Sequence, residues 1–310
     1  MSTRRGPTIG DRAIYALLRA FAAMLGLFSW RTATNLAGSI GTLFYAPFGI
    51  RRRVAEKQIA AAFPEYSSRE VRHVARESYR HLGRVAAETA LLSRLDSSRV
   101  LEHCSGAEGL ELIREHVAAG RGAIVLTGHL GNWELAGAMV AAHAMPIDVV
   151  VRLMGNPLFD QFLSRTRARL GMTVIRDRDA VRQTARSLRA GRVIAFLADQ
   201  SGLHIASSFI NFFGRPAKTP RGPAVFALRL DAPLYFGACI REPDGRYRIH
   251  VREIAAERTG DTEFDVDAIL NEYSRLLEQY VRETPEQYFW QHRRWKRQPA
   301  DTPAELRDPV

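Results

Sequence analysis

The 310-residue chain is 46% hydrophobic, enough to bury one large core or two smaller ones. Its two cysteines, Cys104 and Cys239, lie far apart with neither a metal-ligand spacing nor a disulfide framework, so a disulfide-stapled scaffold is excluded and a reducing compartment is the simplest reading. The 44 Lys plus Arg against 33 Asp plus Glu leave a charge of +11, mostly as arginine, whose planar fork grips phosphate and carboxylate; anionic lipid or an acidic protein fits such a surface, whereas without zinc-finger spacing, an aromatic RNA-binding strand motif or a repeated basic helix no nucleic acid is expected.

Residues 13–30 are mostly apolar, interrupted by Arg19 and closed by Trp30, a residue type favoured at membrane interfaces. An uncharged stretch from Thr32 to Ile50 follows and ends at Arg51-Arg52-Arg53. The charge in the first stretch, and Gly38, Gly41 and Pro47 in the second, spoil both as clean spanning helices. Residues 1–53 are therefore predicted to form a membrane-associated helical segment, inserted at the interface or crossing once at a tilt, with the triple arginine against acidic headgroups on the cytoplasmic side. A helical hairpin packed on the globular body is the alternative. No small-residue cleavage site marks a signal peptide.

Residues 54–95 carry helical periodicity, with a break at Phe63-Pro64-Glu65 and a capping-type restart from Ser67 to Glu70. Strand patterns over 122–127, 147–152, 172–176 and 193–198 then alternate with helical ones over 132–143, 158–170 and 180–190. A helix and a strand within 224–240, a strand over 246–253 and an amphipathic helix over 265–283 complete the body. Consecutive βα units predict an α/β fold, a central mostly parallel sheet flanked by helices, in one domain over 54–298. Residues 299–310 are polar and proline-bearing and read as a disordered tail.

The sharpest local feature is Val125 to Leu135, VLTGHLGNWEL, where a strand empties through Gly128 into a polar loop and then a helix. His129 is a candidate general base and Glu134 a carboxylate able to orient it. On one continuous helix two residues five apart point about 140° away from each other, so His129 must precede the helix. Asn132 then fits the N-cap and Glu134 the first turn, leaving N–H donors for an oxyanion or a phosphate. A histidine held for structure alone is the competing reading.

Arg152 and the pair Asp199-Gln200 each follow a strand and would emerge at the same carboxyl edge, where open α/β sheets bind ligands. Asp199 rivals Glu134 as the partner of His129, or is simply a turn former. Residues 210–222 combine Phe212 and Phe213 with Gly214, Lys218, Thr219 and Arg221, a mixture that suits an anionic headgroup beside an apolar chain, unless the phenylalanines are core. Residues 285–297 crowd aromatics and bases into one stretch that suits a lipid surface or a clamp onto the sheet. His292, within it, reads as a surface or packing residue.

Taken in order, Thr127 to Glu134, Arg152 with Asn156-Pro157, Asp199-Gln200 with Gly202, Phe212-Phe213-Gly214 with Thr219 and Gly222, and Pro285 to Tyr288 with His292-Arg293-Arg294 closely resemble the bacterial lipid A biosynthesis late acyltransferases of the lysophospholipid acyltransferase superfamily. The similarity extends back through Arg51 to Leu92. It implies an O-acyltransferase on the cytoplasmic face of the bacterial inner membrane, peripheral or single-pass. Such an enzyme moves a fatty acyl group from a thioester, on acyl carrier protein or coenzyme A, to a hydroxyl of a lipid acceptor such as a lipid A precursor. Carried onto matching positions, the resemblance makes His129 and Glu134 of the His-x4-Glu motif catalytic. It makes Asn132, Arg152, Asp199, Gln200, Gly214, Lys218, Thr219 and Arg221 substrate-binding.

No bound cofactor or metal is implied, the thioester being a co-substrate, and no serine or cysteine is placed as an acyl-enzyme nucleophile. Direct transfer is therefore expected. Relatives acylate mannosylated phosphoinositides or lysophospholipids, so another lipid acceptor, a hydrolase or a silent lipid-binding protein stays open. Two positions depart from the pattern: Ser201 stands where an acidic residue is usual, and Gln58-Ile59 where asparagine-leucine is.

Overall fold

The computed structural model describes residues 6–200, 205–255 and 258–310; Ser201 and Gly202 lie outside them. Four helices come first: α1 (Ile9–Leu25), α2 (Trp30–Tyr45), α3 (Arg52–Ala62) and α4 (Ser68–Leu91). The body runs α5 (Ser97–Glu102), β1 (Cys104–Glu108), α6 (Leu110–Ala118), β2 (Ala123–Thr127), α7 (Trp133–Ala142), β3 (Ile147–Val151), α8 (Pro157–Arg169), β4 (Met172–Arg176), α9 (Ala180–Arg189) and β5 (Val193–Leu197). The hairpin β6 (Ser207–Phe212) and β7 (Arg215–Pro220) follows, then α10 (Gly222–Leu230), β8 (Leu234–Arg241), β9 (Tyr247–Glu253) and α11 (Thr262–Glu283).

Seven strands form one sheet in the order β1-β9-β8-β2-β5-β3-β4. Every neighbouring pair is parallel except β8 with β9, in keeping with the predicted α/β class. Central strands such as β2 and β5 are apolar on both sides because helices cover both faces. On one face Ile124, Leu126, Ile194 and Phe196 pack with residues of α9, α10 and α11 and with Trp290 and Trp295. On the other, Ala123 and Val193 pack with Leu135, Ala138 and Met139 of α7 and with Leu110 and Ile113 of α6.

The chain returns from α9 to place β5 between β2 and β3. In that register Thr127 lies opposite Leu197, so the residues after β2 and β5 leave adjacent strands at the same height. The site is built on that coincidence.

The N-terminal glycines have a packing reason. A Cβ on Gly41 would meet the Tyr79 carbonyl oxygen at 2.4 Å, and one on Gly83 would meet the Ala37 carbonyl oxygen at 2.4 Å, so α2 lies on α4 at a distance only glycine permits. α2 packs along α4, and α1 lies against α4 and α8; no helix among the described residues is long and apolar enough to cross a membrane. α1, α2 and the turns that follow them expose large apolar side chains, including Leu17, Leu27, Phe28, Phe44 and Phe48.

Residues 210–222, for which no strand is expected from the sequence, contain most of the β6–β7 hairpin; its two-residue turn is Phe213-Gly214, with φ of 51° and 73°, the left-handed pair that matches strand twist. Phe212 and Phe213 are both buried. The terminal residues 299–310 make contacts with the residues before them: Gln298 donates to the Leu306 carbonyl and accepts from the Asp308 N–H, and Arg293 pairs with Asp308. Their polar groups find partners in preceding residues, which composition alone does not reveal.

Candidate active site

β2 ends at Thr127, and Gly128 follows where a Cβ would press on Leu277 at 3.0 Å and on the Asp199 carboxyl carbon at 3.4 Å. The missing side chain lets the backbone turn beside Asp199. That carboxylate takes His129 at two points: Oδ1 lies 2.7 Å from the ring Nδ1, and Oδ2 accepts the His129 backbone N–H at 2.9 Å. An ionised carboxylate only accepts, so Nδ1 carries the ring proton and Nε2 presents a lone pair. The Gln200 side-chain amide sits 3.1 Å from the same Nδ1.

Burial works against ionisation of Asp199 more than any other influence. The charge and both hydrogen bonds of His129, with the more remote charge of Arg294, outweigh it and bring the carboxyl down to about 2. Two buried phenols nearby, Tyr273 and Tyr288, are pushed well up, first by burial and then by the Asp199 charge, so both stay neutral. His292 also feels Asp199 and His129; burial pushes it down to about 4, and it is neutral near pH 7.

The His129 side chain keeps 20% of its surface exposed. Its ring lies edge-on to Trp133, centroids 4.9 Å apart, and 5.9 Å from the Phe289 ring, giving a basic nitrogen an apolar collar. Phe289 belongs to the aromatic stretch near the C-terminus and holds the loop directly, donating its N–H to the His129 carbonyl at 3.0 Å, while Gly131 donates to the Gln287 carbonyl. The clamp reading of residues 285–297 describes this contact. Phe289 was absent from the sequence candidates because nothing in its pattern links it to a loop 160 residues earlier.

Other candidates are distributed around this centre. Thr219 is fully buried and accepts from Arg294, which also donates to the Lys218 carbonyl; the two stand behind Asp199 through that arginine. Gln58, one of the departing positions, receives the Arg294 N–H and donates to the carbonyls of Trp290 and His292. Arg152 is exposed at the carboxyl rim, 3.4 Å from Asp177.

Some candidates are committed elsewhere. Glu134, expected to orient His129, instead grips Arg167 of α8 through both carboxylate oxygens, at 3.0 and 2.5 Å, because the first turn of α7 points its side chain toward α8. Asn132 caps α7 as expected, accepting from the Leu135 N–H at 2.9 Å, but it is fully buried and its amide nitrogen donates to Glu88, so it faces protein. Arg221 pairs with Glu263 at 2.6 Å, and Gly214 turns the hairpin with open space where a Cβ would stand.

The chain is similar to several known proteins. The lipid A biosynthesis palmitoleoyltransferase of Escherichia coli K12 is 28% identical over 258 residues, 82% of each chain. The lauroyltransferase of the same organism is 26% identical over 256 residues, again 82% of each. A phosphatidylinositol mannoside acyltransferase of Mycobacterium tuberculosis H37Rv is 30% identical over 174 residues, 54% of each chain. The family of bacterial lipid A biosynthesis acyltransferases matches residues 9–297. With a match running from α1 to the end of the C-terminal aromatic stretch, the chain belongs to the bacterial lipid A biosynthesis acyltransferase family and is an O-acyltransferase.

Proposed function

We propose that the protein moves a fatty acyl group from a thioester, on acyl carrier protein or coenzyme A, to a hydroxyl of a lipid A precursor at the cytoplasmic surface of the inner membrane. The observation that carries this reading is the His129–Asp199 pair, an imidazole with Nδ1 tied to a carboxylate and a partly exposed ring. The Nε2 lone pair takes the proton of the acceptor hydroxyl as its oxygen attacks the thioester carbonyl. The tetrahedral intermediate then collapses, the carbon–sulfur bond breaks, and the sulfur leaves with the proton from Nε2. General-base assistance of this kind is worth on the order of 10²–10⁴ in rate.

Oxyanion stabilisation is assigned to the first turn of α7, where the Trp133 and Glu134 N–H groups precede the capped Leu135 N–H and have no acceptor within the helix. Arg152, exposed and 3.4 Å from Asp177, is assigned to a phosphate of the acceptor. Gln200, whose side-chain amide lies 3.1 Å from the His129 ring Nδ1, is assigned to the same pocket. Glu134 contributes by anchoring Arg167. The apolar outer faces of α1 and α2 and the run Arg51 to Arg53 support peripheral attachment to an anionic leaflet.

The similarity to the mannoside acyltransferase favours a second reading in which the acceptor is another glycolipid. Mass spectrometry of lipids from the native host with and without the gene distinguishes them. One acyl mass lost from lipid A on deletion supports the first reading, and a loss confined to another glycolipid class selects the second. Purified protein that consumes donor at the same rate without any acceptor contradicts both.

A further inference from the structure

Two side chains of α4 reach under the His129 loop and take hold of consecutive residues. The His81 Nε2 lies 3.0 Å from the Gly131 carbonyl oxygen; a carbonyl only accepts, so this nitrogen carries the proton. Glu88, with no exposed surface, accepts from the Asn132 amide nitrogen at 2.8 Å and from the Tyr247 hydroxyl at 2.6 Å, and is ion-paired with Arg241. Seven residues apart, the two lie on the same face of the helix, about 10.5 Å from each other along its axis.

The loop has no freedom on its other side. Gly131 has φ +59°, and a Cβ there would meet the Cys239 carbonyl oxygen at 1.9 Å, while the Asn132 N–H donates to that same carbonyl at 2.9 Å. Gly131 and Asn132 are thus pinned between α4 and β8, two and three residues after the histidine that β2 delivers. Glu88, able only to accept, also fixes which end of the Asn132 amide faces it. The oxygen is left for the Leu135 N–H, and the two N–H groups ahead of Leu135 stay uncapped.

A buried ion pair is poor evidence for stability, because apolar side chains of similar volume commonly stabilise a core as well or better. What such a pair supplies is geometry. We infer that His81 and Glu88 are positioning residues for acyl transfer, acting through the Gly131 carbonyl and the Asn132 amide to hold the His129 loop and the start of α7 in register. The inference rests on His129 being the base. Reacting groups displaced by about 1 Å lose on the order of 10²-fold in rate, so the effect falls on kcat.

The test is steady-state turnover of full-length protein in vesicles, using the acyl thioester that supports wild-type activity and lipid extract from the native host. The variants are His81→Leu, which removes the donor, His81→Gln, which keeps one at the Nε2 position, and His129→Ala. The expected result is a kcat loss of about 10²-fold in His81→Leu with KM changed less than about threefold, recovery to within about threefold of wild type in His81→Gln, and a kcat loss of at least about 10²-fold in His129→Ala. Wild-type kcat in His81→Leu beside that loss in His129→Ala overturns the inference alone; a wild-type kcat in His129→Ala overturns the base assignment and the inference with it. Should His81→Leu fail to fold, Asn132→Ser carries the same test, since serine keeps the cap and loses the reach to Glu88. Loss of kcat there supports the inference, and a wild-type kcat overturns it.

Discussion

Asp199 meets His129 at two atoms, 2.7 Å from the ring Nδ1 and 2.9 Å from the backbone N–H, so one carboxylate sets both the tautomer and the position of the residue. Replacing it with asparagine keeps the shape but offers an N–H where the ring needs an acceptor. Asp199→Asn is expected to lower kcat on the order of 10³-fold with KM nearly unchanged. Steady-state kinetics at pH 7.5 checks this.

Glu134, whose carboxylate is spent on Arg167, behaves differently. Glu134→Gln keeps a hydrogen bond to the guanidinium and is expected to lower kcat by less than about tenfold. Glu134→Ala leaves a largely buried arginine without its partner and is expected to cost on the order of 3 kcal/mol. Combining Glu134→Leu with Arg167→Leu should restore most of that stability, read from chemical denaturation of the single and double variants.

A pH dependence of stability follows from His81. Burial foremost pushes its imidazolium down to about 3 from an ordinary 6.5, so the fold refuses a proton that the unfolded chain accepts. Stability is therefore fully present above about pH 6.5 and is lost as pH falls toward 3, by roughly 2 kcal/mol at about pH 5. His81→Gln does not titrate. Its unfolding midpoint is expected to drop less than that of wild type between pH 7 and pH 5.

The repeating βα units were legible because strands covered on both faces read as continuous apolar runs; β5, Val193–Leu197, matches the expected 193–198 to its last residue but one. β1 was missed, since CSGAE has no β-branched residue and little apolar character. The β6–β7 hairpin was hidden by a Phe-Gly turn in place of the usual Asn-Gly. His129 and its place before the helix were readable from spacing. The choice between Asp199 and Glu134 was not, because it depends on β5 returning beside β2, a contact between residues 70 positions apart.

The outer face of α1 and the turn between α1 and α2 carry another consequence. Leu17 and Leu27 are largely exposed and touch little of the fold, yet each is worth about 1.5–3 kcal/mol when withdrawn from water. Leu17→Ser with Leu27→Ser is expected to leave the unfolding midpoint unchanged and to weaken binding to anionic vesicles at least about tenfold, measured by co-sedimentation.

The most direct measurement is acyl transfer by His129→Ala, followed by mass spectrometry of the lipid product in the presence of donor and acceptor. With the base removed and the Asp199 carboxylate left without its ring partner, product formation is expected to fall by at least about 10²-fold while circular dichroism and vesicle binding match wild type. A folded His129→Ala protein that forms the same acylated lipid at the wild-type rate would contradict the account.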